Sequence, residues 1–315
     1  MSSYHGTREA FAAALIELAQ QDARTMFVSA DSLKAMRATA FAEQFPDRYV
    51  ECGISEQDAI LVASGLASCG LVPFVGTYGG FMTMRACEQM RTYCAYPNMN
   101  VKFIGINGGL LGGEREGVTH QFIEDLGIVR AIPNITVLTP ADAEQVYGAV
   151  KAAMEIDGPV YIRCASGREP SVYADDVPFT FGKLRVLRDY GTDVVLFCSG
   201  YLMSRAIQAA GQLEAEGIHA VLADISTLKP LDADSVCDLL ARCGAAVTIE
   251  DHNVIGGLGS AIAETAARLC PTPVEFVGIP DTFAESGHAE ALLDAYGMGV
   301  QDIMAASKRV IQRKR

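Results

Sequence analysis

The sequence predicts an α/β protein of two domains, each a mostly parallel sheet flanked by helices. Three observations carry that prediction. Short apolar runs alternate with helical periodicities along nearly the whole chain. Glycine-containing loops follow directly on several strands, as they do where parallel strands bring backbone close to a ligand. The chain has 315 residues, half of them hydrophobic and a fifth charged, which is more than one ordinary domain holds.

The first domain is expected over residues 1–166. Helix 8–21 places Phe11, Ala14, Leu15 and Leu18 on one face, and strand 25–28 leads to Asp31. Strand 48–51 stops before Ser55, which with Asp58 reads as a helix cap. The helix at 56–69 is apolar all round and so is expected to be buried on every side. Strand 72–75, a glycine loop at 78–81 and a helix through 84–90 follow. Strand 101–106 empties into a long glycine loop at 107–117. Strand 135–138, a helix to 154 opened by Pro140-Ala141-Asp142-Ala143, and strand 159–163 complete the unit. Ligands of such a sheet bind at the carboxyl ends of its strands, where these loops lie.

Periodicity lapses over 167–190, where Pro170, Pro178 and Gly182 suggest a linker with one hairpin. A smaller second domain is expected over 191–315. Its strands are 193–198, 220–223, 246–250 and 274–277, and its helices are 202–216, 232–241, 260–269, 289–296 and 300–311. Gly256-Gly257-Leu258-Gly259-Ser260 lacks the third glycine and the downstream acid of a dinucleotide loop. It reads instead as a loop packed at an interface.

Composition narrows the function. The formal net charge is -13 and no Lys/Arg cluster is present, which argues against nucleic acid. The basic residues at 308–309 and 313–315 read as a solvated helix end. Nine scattered cysteines without a C-x-x-C pair suggest reduced, packed thiols and a cytoplasmic protein. The apolar stretch 59–75 is interrupted by Gly65, Ser68, Gly70 and Pro73, so no membrane span is expected, and residues 1–5 do not suggest a signal peptide.

Glu56 stands out because it begins the apolar helix. A carboxylate in the first helical turn is ordinary helix chemistry, but one at the mouth of a buried helix either faces a cleft or meets a group that exchanges a proton. Its flanking sequence sharpens the choice. Pro46-Asp47-Arg48 through Gly53-Ile54-Ser55-Glu56-Gln57, then Arg85-Ala86-Cys87-Glu88-Gln89-Met90-Arg91, then Gly117-Val118-Thr119-His120-Gln121, resemble the pyrimidine-binding domain of transketolases, which are thiamine diphosphate enzymes. Ile249-Glu250-Asp251-His252, Gly256-Gly257-Leu258-Gly259-Ser260 and Pro280-Asp281-Thr282-Phe283-Ala284-Glu285-Ser286-Gly287 resemble their C-terminal domain.

The resemblance implies a two-carbon ketol transfer from a ketose, phosphorylated or otherwise anionic, to an aldose. Glu56 matches the glutamate that hydrogen-bonds the cofactor's pyrimidine nitrogen, and His120 the histidine near the substrate oxygens. Phe81 matches the aromatic residue stacked on the pyrimidine, with Tyr78 or Met82 able to take its place. Asp31 and Arg85 are expected beside the cofactor. Arg8 matches a substrate-phosphate arginine. Asn107 replaces a family histidine, the family serine expected near Ala35 is absent, and Arg115, Arg163 and Arg168 are candidates for a second anion contact. His252 is expected to be structural or interfacial. The chain contains no Gly-Asp-Gly, so it looks like the C-terminal half of a split transketolase. The partner subunit is expected to hold the diphosphate and the Mg²⁺ ligands, with none on this chain, in an α2β2 heterotetramer. The alternatives are a 2-oxoacid dehydrogenase β subunit, 1-deoxyxylulose-phosphate synthase chemistry and a non-catalytic paralogue.

Overall fold

The computed structural model describes residues 4, 6–113, 116–165, 167, 169–173 and 177–314. In chain order the elements are α1 (Thr7–Gln21), β1 (Thr25–Ser29), α2 (Thr39–Gln44), β2 (Tyr49–Glu51), α3 (Glu56–Ser68), β3 (Val72–Tyr78), α4 (Cys87–Gln89), β4 (Lys102–Ile106), α5 (Asp125–Ala131), β5 (Thr136–Leu138), α6 (Ala143–Met154) and β6 (Val160–Arg163). They continue as β7 (Arg185–Asp189), β8 (Val194–Cys198), α7 (Met203–Ala215), β9 (Ala220–Asp224), β10 (Thr227–Lys229), α8 (Ala233–Cys243), β11 (Ala246–Asn253), α9 (Leu258–Leu269), β12 (Val274–Ile279), α10 (Ala289–Ala295) and α11 (Val300–Ile311).

Two sheets result, in the orders β10-β5-β6-β4-β3-β1-β2 and β12-β11-β8-β9-β7. Every pairing is parallel except those of β10 with β5 and β7 with β9. The two antiparallel edge strands depart from the sequence reading. The segment read as a linker with a hairpin instead contributes one strand, β7, to the second sheet, and β10, from the second half of the chain, extends the first. A three-residue strand such as β10 carries too little periodicity to be seen without its partner.

Several local expectations change as well. Ser55 precedes α3 but makes no side-chain cap, whereas Asp142 caps α6 by accepting from the Gln145 amide. On α3 only Glu56, Ala59, Ile60 and Ala63 are buried, and Leu61 is 39% exposed, so the helix packs by one face and is not enclosed. The expected loop at 78–81 is absent because β3 runs to Tyr78 and helical backbone begins at Gly79. The helix there is wide-turned π-helix at Phe81–Arg85 and again at Met90–Ala95, a form common at functional sites. Cys237 and Cys270 are joined as a disulfide, against the expectation of reduced thiols, because packing of α8 on α9 brings them together. Lys308 pairs with Glu216, and Arg309 and Arg313 pair with Glu275, so the basic terminus is a surface ion-pair fringe. No helix among the described residues is long and apolar enough to cross a membrane.

Candidate active site

The end of β3 and the start of α3 bring the predicted residues together. Glu56 occupies the first position of α3 and is only 2% exposed. Its Oε2 accepts from Arg85 Nη1 at 2.7 Å, and Gln57 Nε2 donates to the Arg85 carbonyl at 3.1 Å. Arg85 closes the first π turn with its guanidinium 4.3 Å above the Phe81 ring and is 46% exposed. One end of the ion pair is therefore internal and the other reaches solvent.

Phe81 touches three other rings: Tyr78 at 5.7 Å, His120 at 5.1 Å and Phe122 at 5.3 Å between centroids. His120 also meets Tyr78 edge-on at 5.3 Å, and its Nδ1 lies 3.0 Å from Thr119 Oγ1. The close approach depends on Gly80, where any Cβ would lie 1.8 Å from the Phe122 ring. Beside this cluster opens a cleft of about 430 Å³, bounded by Phe81, Met84, Arg85, Val118, Phe122 and Phe283. The aromatic cluster and the Glu56–Arg85 pair thus adjoin one opening.

The remaining predicted residues divide into four groups. Asp31 is exposed with φ 52°, and its amide donates to Glu51 Oε1 at 2.7 Å. Glu51 also accepts from the Gly53 amide at 2.8 Å and the Tyr49 hydroxyl at 2.5 Å. It pins the ends of β1 and β2, a role that an acid at a strand terminus does not announce in sequence. Arg8 and Asn107 form one unit: Arg8 Nη2 donates to Asn107 Oδ1, and Asn107 Nδ2 donates to the Gly112 carbonyl at 3.2 Å. Burial lowers the Arg8 pKa. Arg115 and Arg168 lie outside the described residues.

Arg163 departs from its expected role. It is 9% exposed and makes two bonds to Asp125, Nε to Oδ2 at 2.9 Å and Nη2 to Oδ1 at 3.1 Å. Nη2 also donates to the carbonyls of Phe122 and Asp251 at 3.2 and 2.9 Å. A guanidinium so committed is a tie between the two halves of the chain. Burial raises the Asp125 pKa, but Arg163, His252 and the Tyr161 hydroxyl outweigh burial and hold the carboxyl below its ordinary value. Sequence inspection missed Asp125 because its partner is 38 residues away and on another element.

His252 belongs to this tie, in keeping with a structural or interfacial role. Its Nδ1 lies 2.7 Å from the Asn253 carbonyl and its Nε2 accepts from the Gly127 amide at 3.3 Å. The glycine loop after β11 packs at the same seam, where a Cβ on Gly256 would lie 3.0 Å from Gly127 Cα. Glu250 caps α9 by accepting from the Leu258 and Gly259 amides, both at 2.7 Å.

The model of the transketolase pyrimidine-binding domain matches residues 4–167, and that of the transketolase C-terminal domain matches residues 182–303. The chain is 38% identical over 312 residues to the 6-deoxy-6-sulfo-D-fructose transketolase subunit SqwH of Clostridium sp. (strain MSTE9), covering 98% of this chain and 96% of that protein. It is 34% identical over 307 residues to an apulose-4-phosphate transketolase subunit of Phocaeicola vulgatus, covering 97% of each. Among solved structures, a split gene transketolase described as an inactive beta4 tetramer superposes with a TM-score of 0.90 at 40% identity, covering 99% of this chain and 100% of that one. The Campylobacter jejuni transketolase shares the fold at 21% identity, with a TM-score of 0.78 over 96% of this chain and 46% of its own. The chain thus belongs to the thiamine diphosphate-dependent transketolase family, as a transferase subunit carrying the pyrimidine-binding and C-terminal domains.

Proposed function

We propose that this chain is the half of a two-subunit transketolase that activates the cofactor, and that it works on an anionic sugar. The observation carrying the reading is Glu56: a carboxylate 2% exposed, placed by a helix start, and held by an arginine that is itself half open to solvent. The donor set suits thiamine diphosphate. A planar, nitrogen-bearing ring finds aromatic neighbours in Phe81, Tyr78 and Phe122 and a desolvated carboxyl in Glu56. When bound, that cofactor supplies the carbon nucleophile that carries the two-carbon unit.

With the cofactor bound, Glu56 would hold or yield a proton at a nitrogen of its ring, and burial would strengthen that hydrogen bond. Arg85 keeps the carboxylate paired and, being half open to solvent, can turn to water when another partner takes its place. His120, with Nδ1 turned to Thr119, presents its other nitrogen to the substrate oxygens. Asp31, held by Glu51 at the end of β1, would approach the cofactor from the strand end. Arg8, fixed by Asn107, meets the anionic group of the sugar, and Arg115 and Arg168 stay candidates for a second contact. Two relatives named for a sulfonated and a phosphorylated sugar support an anionic substrate class.

A second protein supplies the diphosphate site and the Mg²⁺ ligands, in an α2β2 assembly in the cytoplasm. Exposed apolar residues support such a partner: Met84 lines the cleft, Ile54 precedes α3 and is 74% exposed, and Leu61, Tyr93 and Tyr96 are also open to solvent. Residues 1–166 and the sheet that begins with β7 serve as the two functional domains.

The test is co-expression with a partner protein that carries Gly-Asp-Gly, followed by a ketol-transfer assay on sulfonated and phosphorylated ketoses. Glu56→Gln in that complex should abolish transfer with the far-UV spectrum unchanged. A variant retaining more than about a tenth of the wild-type rate, a loss under about 1.4 kcal/mol, would overturn the role of Glu56. Turnover by this chain alone would overturn the partner.

A further inference from the structure

Two of the segments that resemble the family face each other across the domain boundary. Gln121, 4% exposed in the first domain, donates from Nε2 to the Glu285 carbonyl of the second at 2.9 Å. Gly117, with φ 72°, lets Ser286 come close: a Cβ there would lie 2.8 Å from its Oγ. The far side of the loop is also held, since Asn253 Nδ2 donates to Asp281 Oδ1 at 2.9 Å, the Tyr296 hydroxyl donates to Glu285 Oε2, and Ala284 is buried. Asp281 itself takes φ 48°, a left-handed turn that fixes the loop's entry.

On this anchored loop Phe283 is 70% exposed, and it lines the same cleft as Phe81, Arg85 and Phe122. A large aromatic side chain displayed on a clasped loop leaves apolar surface in water that a ligand in the cleft would cover.

We propose that Phe283 is a wall of the cofactor cleft supplied by the C-terminal domain, that it contacts the bound heteroaromatic ring, and that Gln121 is the strut positioning it. The proposal rests on the reading of this cleft as the thiamine diphosphate site. It gives the C-terminal domain a direct part in the site through Phe283, and it gives Gln121 a role separate from that of its neighbour His120.

The experiment uses the complex with the diphosphate-binding partner and reads thiamine diphosphate affinity by fluorescence titration, with assembly followed by sedimentation. Phe283→Ala should weaken binding about tenfold and Phe283→Tyr should restore it, as expected for loss and return of an aromatic contact. Gln121→Leu should weaken binding about threefold, and the double variant should be no worse than Phe283→Ala alone, because the strut acts through the ring. An affinity for Phe283→Ala within about twofold of wild type would overturn the proposal while leaving the Glu56 reading standing. So would loss of assembly in Phe283→Ala, which would make Phe283 a contact between subunits. Failure of the wild-type complex to bind the cofactor would overturn the reading of the cleft itself.

Discussion

Two ion pairs, Glu56–Arg85 and Asp125–Arg163, join a buried carboxylate to an arginine, yet they do different work. In the first the carboxylate is 2% and the arginine 46% exposed; in the second the values are 0% and 9%. The open pair leaves its acid one exchange away from a new partner, since Arg85 can turn to water. The closed pair has no such exit. Arg163 is also held by two backbone carbonyls, and Asp125 by the Tyr161 hydroxyl at 2.8 Å. Burial of a carboxylate alone therefore does not mark the site; what distinguishes Glu56 is an arginine that can leave.

The largest stability effect should come from opening the closed pair. Arg163→Ala leaves Asp125 charged and enclosed, which should cost about 3–5 kcal/mol in urea unfolding. A loss under about 1 kcal/mol would mean that water reaches the seam and that Arg163 is free for other duty. A smaller effect concerns acid. Because the folded Asp125 carboxyl titrates below its unfolded value of about 3.9, its stabilisation is complete above that pH and is lost as pH falls through the folded value. Acid unfolding of Asp125→Asn should accordingly be shallower below about pH 4, and an unchanged acid limb would contradict the assignment. A smaller effect belongs to the open pair: Arg85→Ala leaves Glu56 beside solvent that already reaches Arg85 and should cost about 1–3 kcal/mol, and a loss as large as that of Arg163→Ala would erase the contrast.

The contrast also explains how far the sequence could be read. Glu56, Arg85, His120 and Phe81 lie in local motifs at helix and strand ends, and the fold brings those motifs to one place, so their residues could be picked out from sequence alone. The partners of Arg163 were not legible, because an arginine at the carboxyl end of a parallel strand is equally suited to an anion or to a carboxylate from another element, and only packing chooses. Asp125 and Gln121 were missed for the same reason: their partners lie 38 and 164 residues away. Ser55 occupies the N-cap position and α3 begins at Glu56 as the local sequence implies, but its hydroxyl does not bond the helix amides.

By itself the sequence determined the α/β class, the order of the long strands and helices, and the motifs that place the chain among transketolases. Those properties follow from periodicity and from residues near one another in the chain. Tertiary structure decided which edge strands complete each sheet, which face of α3 stays open, which arginine is closed inside the domain seam, and that Phe283 looks into the cleft beside Phe81. Each of these depends on contacts between distant segments, whose energies appear only when packing removes both partners from water.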